Sequence, residues 1–253
     1  MGEAVNSAIE FRKVEYRLSS GKVLLSGLNL TVQRGETLML LGRSGSGKTT
    51  CLKLINRLLV ASSGEVLVDN KASREWDPIR LRRRIGYAIQ DVGLFPHYTV
   101  WQNVALVPKL EKWDHQRIAD RVEEVLQLVG LPSRDFASRY PGQLSGGQRQ
   151  RVGLARSLAA EPPILLMDEP FGALDPITRA GIQMEFNKLQ QGLGKTIVFV
   201  THDVGEALLL GDRIALMEEG RVRGIHTPKE FLHACEINRH EGLQKLTVTR
   251  MEE

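Results

Sequence analysis

Hydrophobic and polar positions alternate in two stretches near the start of the chain, around residues 9–14 and 28–32. Such alternation predicts two strands that each bury one face. Residues 37–41 are nearly all apolar, as expected for a strand that is buried on both faces. A glycine-rich loop follows, then helical spacing over residues 48–59 and a strand at residues 65–68. The pattern predicts a β-rich beginning, and after it a strand, a loop and a helix.

The middle of the chain changes to helical periodicity. Residues 99–102 have the Ser/Thr-x-x-Gln pattern that starts a helix. Residues 115–129 place five aliphatic side chains on one helical stripe, and Gly130 and Pro132 then end it. These signals predict a helical insert over about residues 91–140.

The rest of the chain alternates between helices and strands. Helices are predicted near residues 147–160, after Pro176 and after Asp203, and strands at residues 164–167, 197–200 and 214–217. This alternation predicts a parallel sheet. We therefore expect an α/β protein with a parallel sheet, a leading β-rich subdomain and an inserted helical subdomain.

Composition narrows the class of protein. The 253 residues are 42% hydrophobic and 25% charged, which excludes disordered and fibrous classes. No apolar run approaches the ~20 residues that span a bilayer, and no signal peptide is visible. Two cysteines make no disulfide framework, which favours a reducing compartment. The net charge of +4 indicates neither a nucleic-acid nor a membrane partner.

The glycine-rich loop carries the strongest chemical signal. Residues 42–49 fit the pattern G-x-x-x-x-G-K-[ST], in which glycines let backbone N–H groups surround phosphates at a helix start. Lys48 is expected to reach the β and γ phosphates, and Thr49 to ligate Mg²⁺. The predicted phosphate-binding residues are Gly42, Arg43, Ser44, Gly45, Ser46, Gly47, Lys48, Thr49 and Thr50.

Two further motifs follow the loop. Asp168 and Glu169 end a buried strand, where Asp168 suits Mg²⁺ through water and Glu169 suits polarisation of a hydrolytic water. Residues 144–148, Leu-Ser-Gly-Gly-Gln, offer a hydroxyl and glycine N–H groups at a helix start. Taken alone, the first motif also fits any strand that ends in acids, and the second fits an ordinary N-capped helix.

The order of the three motifs resembles the ATP-binding cassette ATPases, and the resemblance covers about residues 9–222. It implies a P-loop NTPase core with a parallel sheet, an N-terminal antiparallel β subdomain and an inserted helical subdomain. The ATPase domain is expected over residues 1–224, with a short tail over residues 225–253. Residues 173–175 match the loop that crosses to a partner subunit.

The resemblance also implies roles for single residues. Gln90 matches the glutamine that joins the core to the helical subdomain and senses Mg²⁺ and the attacking water, and His202 matches the switch histidine at the γ-phosphate. The implied catalytic residues are Lys48, Gln90, Glu169 and His202, and the implied Mg²⁺ residues are Thr49, Gln90 and Asp168. In a head-to-tail dimer, the residues that face the partner's ATP are Ser145, Gly146, Gly147, Gln148 and Asp175.

The adenine contact is less clear in this sequence. The family usually stacks an aromatic residue on the base near the end of the first strand, and that place falls on Leu18. Tyr16 precedes it by two residues and lies on the same strand face. Stacking by Tyr16, a weaker apolar contact by Leu18, and Tyr16 as an ordinary sheet residue are three open alternatives.

The implied function is ATP hydrolysis that drives a membrane transporter. The expected partners are a second ATPase subunit, transmembrane permease subunits and a solute-binding protein, with no nucleic acid. The expected location is the cytoplasmic face of the membrane, held there through the permease. Apolar side chains of Phe95, Pro96, Trp101 and Val104 are expected to form the permease groove.

The stretches 84–90, 93–97, 103–108 and 196–203 resemble importers of glycine betaine, choline and related osmoprotectants. The resemblance does not extend to the paired regulatory domains that many members carry. One alternative is another transporter class, for amino acids or lipids. Another is a non-transport cassette protein, which usually has two cassettes or a long coiled coil. A nucleotide-binding regulator would lack Glu169 or His202.

Two further features allow competing interpretations. Arg80, Arg82, Arg83 and Arg84 form a basic cluster, which is either a solvated helix face or a contact for phospholipid headgroups. Cys51, beside the phosphate loop, is either a small packed residue or a redox switch.

Overall fold

The computed structural model describes residues 7–90, 92–172 and 174–234. The strands are β1 (Ser7–Arg17), β2 (Val23–Gln33), β3 (Thr37–Leu41), β4 (Ser63–Val68), β5 (Lys71–Ala72), β6 (Ile85–Ala88), β7 (Ile164–Asp168), β8 (Thr196–Thr201), β9 (Arg213–Glu218) and β10 (Arg221–His226). The helices are α1 (Lys48–Ile55), α2 (Pro78–Arg83), α3 (Val100–Leu110), α4 (His115–Leu128), α5 (Ser133–Phe136), α6 (Gly146–Leu158), α7 (Pro176–Leu193) and α8 (Val204–Leu210).

The N-terminal strands form a four-stranded antiparallel sheet in the order β2-β1-β4-β5. Ile9, Phe11 and Val14 are buried between their charged neighbours, as the alternating pattern predicts. The leading β subdomain is therefore confirmed, and its long strand pair lies against the core that contains α1.

The second sheet has six strands in the order β10-β9-β3-β8-β7-β6. The five strands from β9 to β6 are parallel, which confirms the predicted α/β core, while β10 pairs antiparallel with β9 at the edge. Sequence reasoning missed β10, because Val222 and Ile225 are its two apolar residues and their spacing of three breaks the alternation of a strand. β8 lies between β3 and β7, so the carboxyl ends of these three strands are neighbours.

The helix after the phosphate loop is shorter than its periodicity predicts. It ends at Ile55, and Asn56 is its C-cap. Arg57 has φ of 55°, in the left-handed region that a continuing helix cannot adopt. The apolar residues of the predicted last turn, residues 58–59, follow the helix instead of extending it.

The helical insert consists of α3, α4 and α5; α3 and α4 lie against α6, and α5 packs on α3 and α4. Its apolar stripe is buried as predicted, with Val122 and Val125 fully enclosed. The expectation that Val104 lines an exposed groove is wrong, because Val104 is fully buried in the same core. Trp101 is half-buried, and Lys109 Nζ lies 4.7 Å from the centroid of its ring.

The arginine cluster is used within the fold. Arg82 Nη2 donates to the Arg57 carbonyl at 2.7 Å and ties α2 to the end of α1. Arg83 Nη1 donates to the Leu110 carbonyl at 3.2 Å, and Arg84 pairs with Asp69 at 3.2 Å. Three of the four arginines therefore link elements of the fold, while Arg80 is exposed, and the headgroup contact stays a hypothesis.

Three aromatic rings connect the strands of the core to α7. Phe199 on β8 is fully buried, and its ring centroid lies 5.6 Å from Phe171 and 6.4 Å from Phe186. Such rings bury large apolar area and contribute contact energy beyond that area. The trio packs behind the carboxyl ends of β7 and β8.

Replacement of Phe199 by Ala is expected to lower the free energy of unfolding by about 3–5 kcal/mol, because it leaves a cavity in this trio. Urea denaturation followed by circular dichroism measures the loss. Val60→Ala, at a largely exposed side chain, is the control and should change the value by less than about 0.5 kcal/mol. A Phe199→Ala loss below about 1 kcal/mol would show that the trio does not stabilise the core.

Candidate functional site

The phosphate loop leaves the end of β3 and enters α1. Gly47 is the N-cap of α1 with φ of 102°, and no side chain caps this helix. A Cβ at Gly47 would lie 2.7 Å from Leu25 Cδ2, and one at Gly42 would lie 2.2 Å from the Met217 carbonyl oxygen. Only glycine fits at both places. Because the first N–H groups of a helix have no partner within the helix, α1 presents uncapped donors for an anion.

Lys48 is buried beside the loop. Its Nζ donates to the carbonyl oxygens of Gly42 and Arg43, each at 2.8 Å. Burial lowers the pKa of Lys48, while the negative charges of Glu169 and Asp168 oppose that shift. The ammonium group is thus held inside the loop, where phosphate oxygens can replace the two carbonyl groups.

Thr49, Asp168 and Tyr87 form a hydrogen-bonded group below the loop. Thr49 Oγ1 donates to Asp168 Oδ1 at 2.8 Å, and the Tyr87 hydroxyl donates to Asp168 Oδ2 at 3.4 Å. Burial raises the pKa of Asp168, although the hydrogen bonds from Thr49 and Tyr87 counteract the rise. Hydroxyl, carboxylate and amide oxygens are the ligands that Mg²⁺ prefers, so Thr49, Asp168 and Gln90 fit that ion.

Glu169 and His202 meet at the mouth of the loop. His202 Nδ1 lies 3.1 Å from Glu169 Oε2, and the Glu169 backbone N–H donates to the Val200 carbonyl at 3.1 Å. Glu169 has φ of 46°, a left-handed conformation that costs of order 1–3 kcal/mol for a residue with a side chain. The surrounding hydrogen bonds hold the residue in that conformation.

One cleft of about 570 Å³ joins these groups. It is lined by Leu24, Arg43, Ser44, Gly45, Gly47, Lys48, Thr49, Thr50, Gln90, Glu169 and His202. The structure therefore brings together the phosphate loop, the glutamine, the carboxylate and the histidine that the sequence singles out. Asp168 is connected to this cleft by its hydrogen bond with Thr49.

The Leu-Ser-Gly-Gly-Gln residues lie elsewhere in the chain. Ser145 caps α6: its Oγ accepts from the Gln148 backbone N–H at 3.2 Å, and Gln148 Oε1 accepts from the Ser145 N–H at 2.9 Å. Together with Gly146, Gly147 and Asp175 they line a second cleft, also about 570 Å³, which shares no lining residue with the first. A single copy of the chain thus does not bring this motif to the phosphate loop.

Asp175 is fixed at the start of α7, where its Oδ1 accepts from the Thr178 N–H at 3.0 Å. The hydrogen bonds from Thr178 lower the pKa of Asp175. Ala173, in the same predicted loop, lies outside the described residues.

Sequence reasoning missed two residues at the site. Leu24 of β2 lines the first cleft, whereas Tyr16 is half-buried against the core, and Leu18 lies beyond the end of β1. Tyr87 reaches Asp168 from the neighbouring strand β6. Neither contact has a local sequence signal, since both depend on how distant strands pair. The adenine role of Tyr16 stays a prediction.

Cys51 is fully buried on α1, and burial raises the pKa of its thiol to about 12. A thiol with so high a pKa has little thiolate at neutral pH, which favours the packed residue over the redox switch. Cys235 lies outside the described residues.

Comparison with known proteins identifies the family to which the chain belongs. The protein-family model described as ABC transporter matches residues 25–172 of this chain. The glycine betaine/carnitine/choline transport ATP-binding protein OpuCA of Bacillus subtilis is 50% identical over 224 residues, which are 88% of this chain and 59% of that protein. The chain thus spans about three fifths of the length of this relative.

Two solved structures share the fold. The dimeric ATP-binding cassette MJ0796, in a post-hydrolysis state bound to ADP and Pi, has a TM-score of 0.78 and 36% identity, covering 87% of this chain and 98% of that chain. CbiO1 from Clostridium perfringens, part of the ABC transporter complex cbiONQ, has a TM-score of 0.82 and 32% identity, covering 98% of this chain and 99% of that chain. The family match spans more than half of the chain and includes the phosphate loop and the end of β7, so this chain belongs to the ABC transporter family.

Proposed function

We propose that the chain is the ATP-binding and ATP-hydrolysing subunit of a membrane importer for glycine betaine, choline or a related osmoprotectant. The observation that carries the ATPase assignment is the contact between Glu169 and His202 at the mouth of the phosphate loop. A strand end with a purely structural role does not require a carboxylate residue in a strained backbone conformation beside an exposed histidine. The similarity to OpuCA supports the substrate class.

The residues divide the reaction between them. Lys48 and the uncapped N–H groups of α1 bind the β and γ phosphates of ATP. Thr49, Asp168 and Gln90 would hold Mg²⁺, which when bound supplies positive charge to the phosphates. Glu169 accepts a hydrogen bond from water and orients it toward the γ-phosphate. His202 donates to the γ-phosphate and to the charge that develops there.

The second cleft supports a head-to-tail dimer. Ser145, Gly146, Gly147, Gln148 and Asp175 lie away from the phosphate loop of their own chain, and they include a glycine-rich helix start. In a two-fold pair, these residues complete the site around the ATP that is held by the other copy. MJ0796, which shares the fold, is described as dimeric.

Permease subunits complete the proposed transporter. In the described parts of the chain, no helix is long and apolar enough to cross a membrane. A cleft of about 340 Å³ lies between α2, β6, α3 and α6 and is lined by Tyr87, Phe95, Leu106, Val107 and three arginines. We propose that a permease helix occupies it and holds the chain at the cytoplasmic face of the membrane. A solute-binding protein would deliver the substrate.

The purified complex with its permease provides the test of the substrate class. We expect glycine betaine or choline, presented with its binding protein, to stimulate ATP hydrolysis and to accumulate in vesicles. Stimulation by amino acids alone would contradict the osmoprotectant assignment and leave the ATPase assignment intact.

Lys48→Ala should weaken ATP binding by about 10–100-fold, because the phosphates lose a charge-assisted hydrogen bond worth about 1.5–3 kcal/mol. Equilibrium binding of a fluorescent ATP analogue measures the change. Lys53→Ala is the matched control, since it removes the same charge from the exposed face of α1. Equal affinities in the Lys48→Ala variant and the wild type would refute the phosphate-loop assignment.

Glu169→Gln should trap an ATP-bound dimer. Gln keeps the size of the side chain but lacks the negative charge that polarises water, so turnover should fall by about 10²–10⁴-fold. Binding should persist because Lys48 and the loop act independently of Glu169. Size-exclusion chromatography with Mg-ATP should show a dimer, and with ADP a monomer. Glu185→Gln, at an exposed acid of α7, should behave as wild type.

Wild-type turnover in Glu169→Gln would show that Glu169 is not the catalytic carboxylate. A slow variant that stays monomeric at saturating ATP would leave the catalytic role in place and contradict the dimer.

A further inference from the structure

The position of His202 is set by its neighbours in the chain. Its own side chain is largely exposed and touches Glu169. The residue lies between the last residue of β8, Thr201, and the N-cap of α8, Asp203. Thr201 Oγ1 accepts a hydrogen bond from the Asp203 backbone N–H at 2.9 Å. This bond closes a turn around His202 and fixes the direction in which its side chain leaves the backbone.

The same threonine hydroxyl reaches a buried carboxylate. Thr201 Oγ1 donates to Glu206 Oε2 at 2.5 Å, while Glu206 Oε1 accepts from Gln183 Nε2 of α7 at 2.9 Å. The Glu206 backbone N–H donates to Asp203 Oδ1 at 3.1 Å. Both residues that flank His202 are therefore bonded to Glu206.

Glu206 is 5% exposed, and its burial raises the pKa of the carboxyl group. Arg179 on α7 favours the ionised form, and Asp203 disfavours it. A buried carboxylate costs several kcal/mol unless its hydrogen bonds are complete, and an apolar side chain would fill such a site with less cost. At this position the Glu206 carboxylate hydrogen-bonds both to Thr201, the last residue of β8, and to Gln183 of α7.

We infer that Glu206 is a positioning residue for ATP hydrolysis: through the Thr201 hydroxyl it sets the backbone at His202, and through Gln183 it links that backbone to α7. Asp175, the N-cap of α7, lines the second cleft. The link therefore joins the histidine at one ATP site to the helix that begins at the other. This inference rests on the proposed ATPase function.

The test removes the hydroxyl and then restores it. In the full chain, Thr201→Val should lower kcat by about 10-fold and leave KM for ATP within about two-fold, because a displaced His202 affects the transition state more than binding. Thr201→Ser keeps the hydroxyl and should restore the wild-type kcat. Gln190→Leu is the matched control: it breaks another bond between α7 and α8, to the Leu210 carbonyl, and should leave kcat unchanged.

A double-mutant cycle separates positioning from general damage. If Thr201 and Glu206 act through His202, single-turnover hydrolysis by Thr201→Val/His202→Ala should match His202→Ala alone within about two-fold. A further 10-fold loss in the double variant would overturn the inference. Glu206→Gln provides a second test should Thr201→Val fail to fold, and it should lower kcat in the same sense.

Two outcomes distinguish this inference from the proposed function. Unchanged kcat in Thr201→Val and Glu206→Gln, with an active wild type, refutes the positioning role alone. A wild-type chain that binds no ATP and hydrolyses none refutes the proposed function, and the positioning role with it.

Discussion

The parallel pairing of β8 with β3 on one side and β7 on the other is the constraint on which the site depends. In this register Thr201 pairs with Leu41, and Val200 pairs with Asp168. The three strands therefore end at the same edge of the sheet. The phosphate loop, the carboxylate and the histidine follow those strand ends directly. Strand pairing therefore brings together residues that are far apart in the sequence.

The electrostatics of the site follow from this convergence. A buried ammonium group and a buried carboxylate both lie at one sheet edge, where burial lowers the pKa of Lys48 and raises the pKa of Asp168. Two carbonyl oxygens accept hydrogen bonds from Lys48, and the hydroxyl groups of Thr49 and Tyr87 donate to Asp168. The charged groups of the site are thus in position before ATP binds. An incoming triphosphate supplies anionic oxygens to Lys48, whose hydrogen bonds here go to neutral carbonyl oxygens.

The sequence predicted what depends on local pattern. The apolar run of β3, the glycines of the loop and the stripe of α4 each appear where their periodicity and turn chemistry require. What it missed depends on pairing between distant segments: Tyr87 reaches Asp168 across neighbouring strands, and Leu24 approaches the loop from the other sheet. The predicted exposure of Val104 was also wrong, because the sequence of a single helix does not reveal which of its faces the neighbouring helices cover.

Co-purified mixed pairs test whether each ATP lies between Lys48 of one chain and Ser145 of its partner, as the proposed dimer requires. One pair combines a Lys48→Ala chain with a Ser145→Arg chain, and the other combines a chain carrying both substitutions with a wild-type chain. Retention of a slowly hydrolysed ATP analogue is measured for each. With composite sites, the first pair should retain one nucleotide and the second pair none. The reverse result would show that Lys48 and Ser145 serve a site within one chain, and would contradict the composite sites.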